Sequence, residues 1–402
     1  MKSIRELYRI GHGPSSSHTM GPARSAKKFK EKYPKAASFK VTLGGSLALT
    51  GKGHFTDKAI IDTFAPNPVE IIWQPNIIIA DHPNGFIIDA YDSNGFKTAS
   101  ITDISLGGGA LKSDGESGFI YKHKYLREIM EYCTENNIPY WSYVEEVEGS
   151  GIWDYLRECI YVMRDSMIAG LKGTGLIPGP LKLPRKAGTF KNRSLSLNDD
   201  FGPQALTASY AYAVAEVNAS GGIVVTAPTC GSCGVLPAIL ATFHKKYNTE
   251  IDDLLHAMAT AAIFGNIAKH NGSISGAVAG CQAEIGVACA MAAAATTQLM
   301  GGTLEQIEYA AEMGLEHHLG LTCDPVMGLV QIPCIERNAH AALRAYNCAN
   351  FALLSDGKHR ISYDNIVKVL IETGKNLSSL YRETSTGGLA TVYNDITETN
   401  KG

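Results

Sequence analysis

The sequence lacks the marks of a nucleic-acid or membrane protein. With 36 Lys and Arg against 39 Asp and Glu, its formal charge is −3, so no basic excess is available to attract a phosphate backbone or an anionic lipid surface. Lys2, Arg5 and Arg9 are too few and too mixed for a basic targeting arm, and no apolar run follows them; no secretory leader is expected. No internal repeat stands out. Only Gly276 to Met300 could be mistaken for a membrane span, and it contains Gln282 and Glu284 and is built of small residues rather than Leu and Phe. The expectation there is a tightly packed helix at the centre of a soluble domain. Nine cysteines without a leader point to a reducing, cytoplasmic compartment in which thiols bind metal or stay free.

What is present is material for two or three domains: 402 residues, 45% of them hydrophobic, enough for a sizeable core. Residues 1–122 read as an α+β domain. Ile4 to Tyr8 and Pro22 to Tyr33 have helical patterning, and strands are expected at 39–43, 70–73, 76–80, 85–90 and 97–106. Asp92-Ser93-Asn94-Gly95 between two of them is a hairpin signal. From residue 123 to 402 the character is predominantly all-α, with helices expected over 127–135, 152–171, 203–217, 235–246, 251–268, 303–314, 339–352 and 363–373. The stretch from 173 to 202, with Pro178, Pro180 and Pro184, reads as an irregular linker.

Three cysteines in the second half sit among glycine, proline and acidic residues: Gly280-Cys281-Gln282-Ala283-Glu284, Thr322-Cys323-Asp324-Pro325 and Pro333-Cys334-Ile335-Glu336-Arg337-Asn338. Soft thiolates suit zinc or an iron–sulfur cluster, and three rather than four protein ligands leave a position open for catalysis. Free cysteines are also common as small buried hydrophobes. The gap from Cys281 to Cys323 is no local motif, so spacing alone leaves both readings standing.

Several segments in order resemble the bacterial iron–sulfur L-serine dehydratases (L-serine ammonia-lyases). Gly13-Pro14-Ser15-Ser16-Ser17-His18-Thr19 is similar to the family's opening motif, and Gly51-Lys52-Gly53-His54 with Thr56-Asp57-Lys58 to its second. The resemblance continues through Ser273-Ile274-Ser275-Gly276-Ala277, Cys281 to Cys289, Cys323-Asp324-Pro325-Val326, Gln331 to Ala339 and Tyr381-Arg382-Glu383-Thr384-Ser385 with Gly387-Gly388-Leu389. It spans about residues 3 to 390. The resemblance implies a single-chain form with a beta-type and an alpha-type domain, and an oxygen-sensitive [4Fe-4S] cluster on Cys281, Cys323 and Cys334. It implies conversion of L-serine to pyruvate and ammonia without pyridoxal phosphate, a homodimer, and no nucleic-acid or membrane partner.

β-Elimination needs a base for the weakly acidic Cα proton and a Lewis acid for a poor leaving group. His54 is the first candidate for the base and His18 the second; either could merely hold a loop. Ser15, Ser16, Ser17 and Thr19 precede an expected helix, whose start favours a carboxylate, although such a run also serves as a plain cap. Lys52 is a further candidate for the carboxylate. The segment Lys269-His270-Asn271-Gly272-Ser273 is expected to line the same pocket through Asn271 and Ser273, or to be an ordinary helix-ending turn. Arg337 could grip a carboxylate or pair with Glu336 or Glu284. Because His54 and the cysteines belong to different domains, they must meet across the interface.

Two departures from the family stand out. Cys230 occupies a position where members commonly carry Asn, giving Cys230-Gly231-Ser232-Cys233; this pair could approach the cluster, act as an oxidation switch, or be inert thiols in a substrate loop. No cysteine follows Cys348, so a tail cysteine entering the active site is not expected. Three other readings remain: a related lyase for L-threonine or L-cysteine, a non-catalytic oxygen or amino-acid sensor, and a zinc protein using Cys230, Cys233 and others.

Overall fold

The computed structural model describes residues 1–115, 118–197 and 201–393. The chain opens with a 3-10 turn, Ile4–Glu6, and a short strand β1 (Ile10–His12). A π-helical turn, Ser16–Met20, runs into helix α1 (Gly21–Lys32). Strand β2 (Ser38–Gly44), helix α2 (Gly45–Thr50) and helix α3 (Thr56–Phe64) follow, then strands β3 (Val69–Gln74), β4 (Gly85–Tyr91), β5 (Lys97–Gly107) and β6 (Ala110–Leu111). These strands form a five-stranded sheet in the order β3-β2-β4-β5-β6, parallel only between β2 and β3. In β2 Phe39, Val41 and Leu43 are buried and alternate with half-buried residues. That face packs on Ala26 and Phe29 of α1 and Ile60 and Phe64 of α3, with the Phe39 and Phe64 rings stacked 4.0 Å apart. The expected hairpin is present: Asp92 Oδ1 accepts from the N–H groups of Asn94 and Phe96, each at 2.9 Å.

The remainder is mostly helical: α4 (Leu126–Glu135), α5 (Tyr140–Glu148), α6 (Ile152–Lys172), α7 (Ala187–Ser194), α8 (Gly202–Ala219), strand β7 (Ile223–Val225), α9 (Val235–Tyr247), α10 (Ile251–Asn271), α11 (Gly276–Ala279), α12 (Val287–Leu299), α13 (Leu304–Glu316), α14 (Cys334–Leu353) and α15 (Tyr363–Asn376). Helix α12 is the central rod. All of its residues from Val287 to Thr297 are buried, and α9, α10, α13 and α14 pack around it. Its Ala-rich surface permits that many close neighbours, since helices approach according to the side chains at the contact. No helix among the described residues is long and apolar enough to cross a membrane.

The two parts are sewn together by the first residues of the chain. Met1, Ile4, Leu7 and Tyr8 belong to the helical core, not to the sheet core. The Tyr8 hydroxyl donates to Met258 O at 2.9 Å, and β1 pairs antiparallel with β7, Ile10 opposite Val225. This stretch fixes where the Ser15–His18 turn enters the interface.

Four expectations change. Residues 76–80 form a turn and not a strand; Ala80 and Asp81 have φ of +55° and +57°, and the run folds back so that Ile77 O accepts from Gly45 N–H at 2.9 Å. The single helix expected over 276–300 is broken into α11, a loop at Gly280-Cys281, a π-helical turn Gln282–Gly286 and α12. Helix α14 begins five residues before the expected start, at Cys334 itself. The linker contains α7.

Candidate active site

Each candidate cysteine is held by a different piece of backbone. Cys281 follows Gly280 at the break after α11. Gly276 allows this loop to close: a Cβ there would lie 2.9 Å from Glu284 Oε2 and 3.1 Å from Cys323 Sγ, so any side chain would push into the site. Cys323 is fixed by pairing with the C-terminal segment, its N–H donating to Tyr381 O at 2.8 Å and its carbonyl accepting from Glu383 N–H at 2.7 Å. Cys334 starts α14, where the helix dipole favours an anion. Asn338, one turn on, donates to Cys334 O at 2.9 Å and to Gly231 O at 2.7 Å.

These pieces line one narrow cavity. Cys281, Cys323 and Cys334 line it together with Ser15, His54, Gly231, Glu284 and Glu383. The Sγ atoms of Cys281 and Cys323 and an oxygen of Glu284 lie within 4.8 Å of one another, and Cys281 Sγ is 3.9 Å from Glu284 Oε2. The Cys281 thiol is drawn down to about 6, first by its hydrogen bond with Cys323 and, against burial, by the Arg337 guanidinium. Cys323 is pushed up by that same contact with Cys281 and by burial, and Cys334 by burial and the Cys281 charge. One thiolate is therefore favoured here and three are not, unless positive charge enters the cavity.

The opposite wall comes from the α+β unit. The Ser15 hydroxyl caps the π-helical turn, accepting from His18 N–H at 3.1 Å. Thr19 Oγ1 accepts from Ser15 N–H and donates to His54 O at 2.7 Å, tying the two loops together. Gly53 brings the second loop against the cysteine side, since a Cβ there would sit 2.4 Å from Gly328 O. The His18 and His54 rings lie 4.5 Å apart. Both ring nitrogens of His18 are engaged: Nδ1 with Ser17 Oγ at 2.9 Å and Nε2 with Ser46 Oγ at 3.1 Å. Glu383 Oε1 is 3.4 Å from His18 Nδ1 and 4.0 Å from His54 Nε2. His54 Nδ1 and Glu383 Oε2 are buried without a partner. Burial lowers His18 to about 4 and holds His54 well below 6.5, with His18 adding to the effect on His54. Burial, then the Cys281 charge, raises Glu383 to about 8.

The structure thus brings together Cys281, Cys323, Cys334, His54 and Ser15, with His18, Ser17 and Thr19 directly behind. Ser16 is buried in the same turn but does not line the cavity. Lys52 lies elsewhere: it is exposed, with Nζ 5.7 Å from the Trp73 ring centre, because the loop turns His54 inward and its neighbour out. The segment at the end of α10 also faces away. Asn271 donates to Lys124 O at 2.6 Å, Ser273 Oγ accepts from Ser275 N–H, and Lys269 Nζ donates to Glu6 O at 2.8 Å, which makes it a helix end braced on the N-terminal stretch. Arg337 donates to Thr322 O at 2.6 Å and backs the Cys281 thiol; it faces the cysteines from outside the cavity, and Glu336 pairs with Lys186. Cys230 is fully buried with Sγ 3.7 Å from Met20 Sδ, so Gly231 and not Cys230 meets the cavity. Glu383 and Glu284 were missed as site residues, although both stand inside motifs that carried the resemblance.

A cavity with a soft, three-thiol donor set, lined also by two residues that carry buried unpartnered polar atoms, His54 and Glu383, fits a thiolate-bound metal or iron–sulfur centre. The fold and site define a two-part enzyme whose α+β unit and helical unit each supply one wall of the reaction cavity. The chain belongs to the serine dehydratase family: the serine dehydratase beta chain matches residues 3–68 and the serine dehydratase alpha chain residues 124–390. It is 38% identical to L-serine dehydratase 1 of Escherichia coli (strain K12), over 97% of this chain and 99% of that protein. It is 35% identical to L-serine dehydratase of Haemophilus influenzae over 97% and 99%, and 37% identical to that of Streptomyces coelicolor over 96% and 98%.

Proposed function

We propose that the protein is an L-serine ammonia-lyase, forming pyruvate and ammonia, and that Cys281, Cys323 and Cys334 hold a [4Fe-4S] cluster. The observation that carries this reading is the convergence of three cysteines from three separate segments with His54 from the other unit on one buried cavity. When bound, such a cluster supplies a Lewis-acidic iron for the departing hydroxyl. The reading involves no pyridoxal phosphate.

His54 removes the Cα proton through Nδ1, the ring nitrogen left without a partner. Its lowered pKa keeps it neutral and able to accept at pH 7. His18 does not compete, because both its nitrogens are engaged; it fixes Glu383, which in turn faces His54. Ser15, at the start of the turn that leads into α1, receives the substrate carboxylate. Glu284 and Glu383 are the carboxyl groups lining the cavity and face the substrate ammonium. Loss of the Cα proton and of the Cβ–O bond leaves an enamine, which tautomerises to the imine and hydrolyses in water. Free, mostly buried thiols suit a cytoplasmic, reducing compartment, and a homodimer remains part of the reading.

Substrate preference tests the proposal. Under anaerobic conditions 2-oxo acid release should be fastest from L-serine, with L-threonine at least about tenfold lower in kcat/KM for its extra methyl. A chain that turned over L-threonine or L-cysteine faster would be a different cluster lyase. A loaded cluster with no turnover of any of the three would favour a sensor.

A further inference from the structure

A second pocket abuts the cysteine side of the site, with about 900 Å³ of atom-free space partly open to solvent. It shares Ile285 with the reaction cavity. Its polar wall is one face of α14, where Arg337, His340 and Arg344 recur at helical spacing. His317, at the end of α13, faces them. Among the described residues no Asp or Glu lines the pocket, although Glu316 lies 3.9 Å from His317 Nε2. Leu321, Leu343 and Ile285 supply apolar contact.

The geometry points to a binding site for a small carboxylate anion carrying an apolar group, held by Arg344 and His340 and placed one residue layer from the reaction cavity. One feature favours this ligand over inorganic phosphate. Arginine donors suit carboxylate and phosphate alike, but the three aliphatic residues have no use for a fully polar ion. Arg344 and His340 are exposed, so the pocket is reached directly from solvent. Arg337 spans the layer between the two spaces, since its guanidinium backs the Cys281 thiol on one side and lines the pocket on the other. An anion here therefore draws on the same positive charge as the thiolates. Naming pyruvate as the natural occupant rests on the proposed reaction; the anion chemistry of the pocket does not.

The test is calorimetric titration of anaerobically purified holoprotein with sodium pyruvate, repeated with acetate and inorganic phosphate. Pyruvate should bind saturably, acetate should compete, and phosphate should bind at least about tenfold more weakly. Arg344→Gln should weaken pyruvate at least about tenfold and His340→Gln by less, while Ser15→Ala, in the reaction cavity, should move it less than about twofold; circular dichroism confirms that each variant is folded. A pyruvate affinity that fell in Ser15→Ala and held in Arg344→Gln would place the ligand in the reaction cavity and overturn the proposal. So would the absence of saturable binding. A protein without serine turnover that still bound pyruvate through Arg344 would keep the pocket and remove only the proposed reaction.

Discussion

Replacing Cys323 by alanine is expected to remove the bound iron and to lower serine turnover by on the order of 10³-fold or more, the scale of losing several kcal/mol of Lewis-acid stabilisation. The fold should survive. The loop is held by backbone bonds from Cys323 N–H to Tyr381 O and from Glu383 N–H to Cys323 O, and by Asp324 Oδ2 accepting from Leu389 N–H at 2.8 Å, none of which uses the thiol. Iron and acid-labile sulfide assays on the anaerobic variant read the loss directly. Cys133→Ala, a fully buried thiol on α4 outside the cavity, is the control and should keep its iron. Equal iron in Cys323→Ala and wild type would remove Cys323 from the ligand set.

His54→Asn is expected to keep the cluster and lose about 10²- to 10⁴-fold in kcat, the usual contribution of a positioned base. The pH profile separates this role from a loop-holding one. A base works when neutral, and burial has moved His54 well below 6.5, so acid inactivation should begin only far below that value. Between pH 6 and 7 Glu383 also stays mostly protonated, because its own value is raised to about 8. The wild-type kcat/KM should therefore be flat across this window. An acid limb centred near 6.5 would show an unshifted histidine and contradict the burial argument. His18→Asn should act through Glu383 and change kcat less than His54→Asn does.

Elements set by local pattern were legible in the sequence. The alternation in Phe39-Lys40-Val41-Thr42-Leu43, the Asp92–Gly95 turn and the Ala-rich helices α8, α10 and α12 depend on neighbours within a few residues. The parts that were not legible depend on distant chain. Met1 to Tyr8 reads as the start of an α+β unit, yet its apolar residues belong to the helical core, and the strand that follows it pairs with β7. The 276–300 run reads as one helix because its composition is uniform; Gly280, with φ of +72°, breaks it and turns Cys281 into the cavity. Lys52 and His54 stand in the same glycine-rich loop, and which of them is buried, His54, depends on the close packing of that loop on the Gly328 segment. Glu383 acquires its place from pairing with the Cys323 loop across some 60 residues, a contact that no local signal encodes.

The central claim is that three cysteines and a histidine from the other unit make one cluster-dependent lyase site. The most direct measurement is made on a single anaerobic sample: iron, acid-labile sulfide and pyruvate release from L-serine, before and after exposure to air. The account predicts about four iron and four sulfide per chain, as a [4Fe-4S] centre requires, with serine turnover that is lost in air. Zinc without sulfide, or serine turnover undiminished in a sample free of iron, would contradict it.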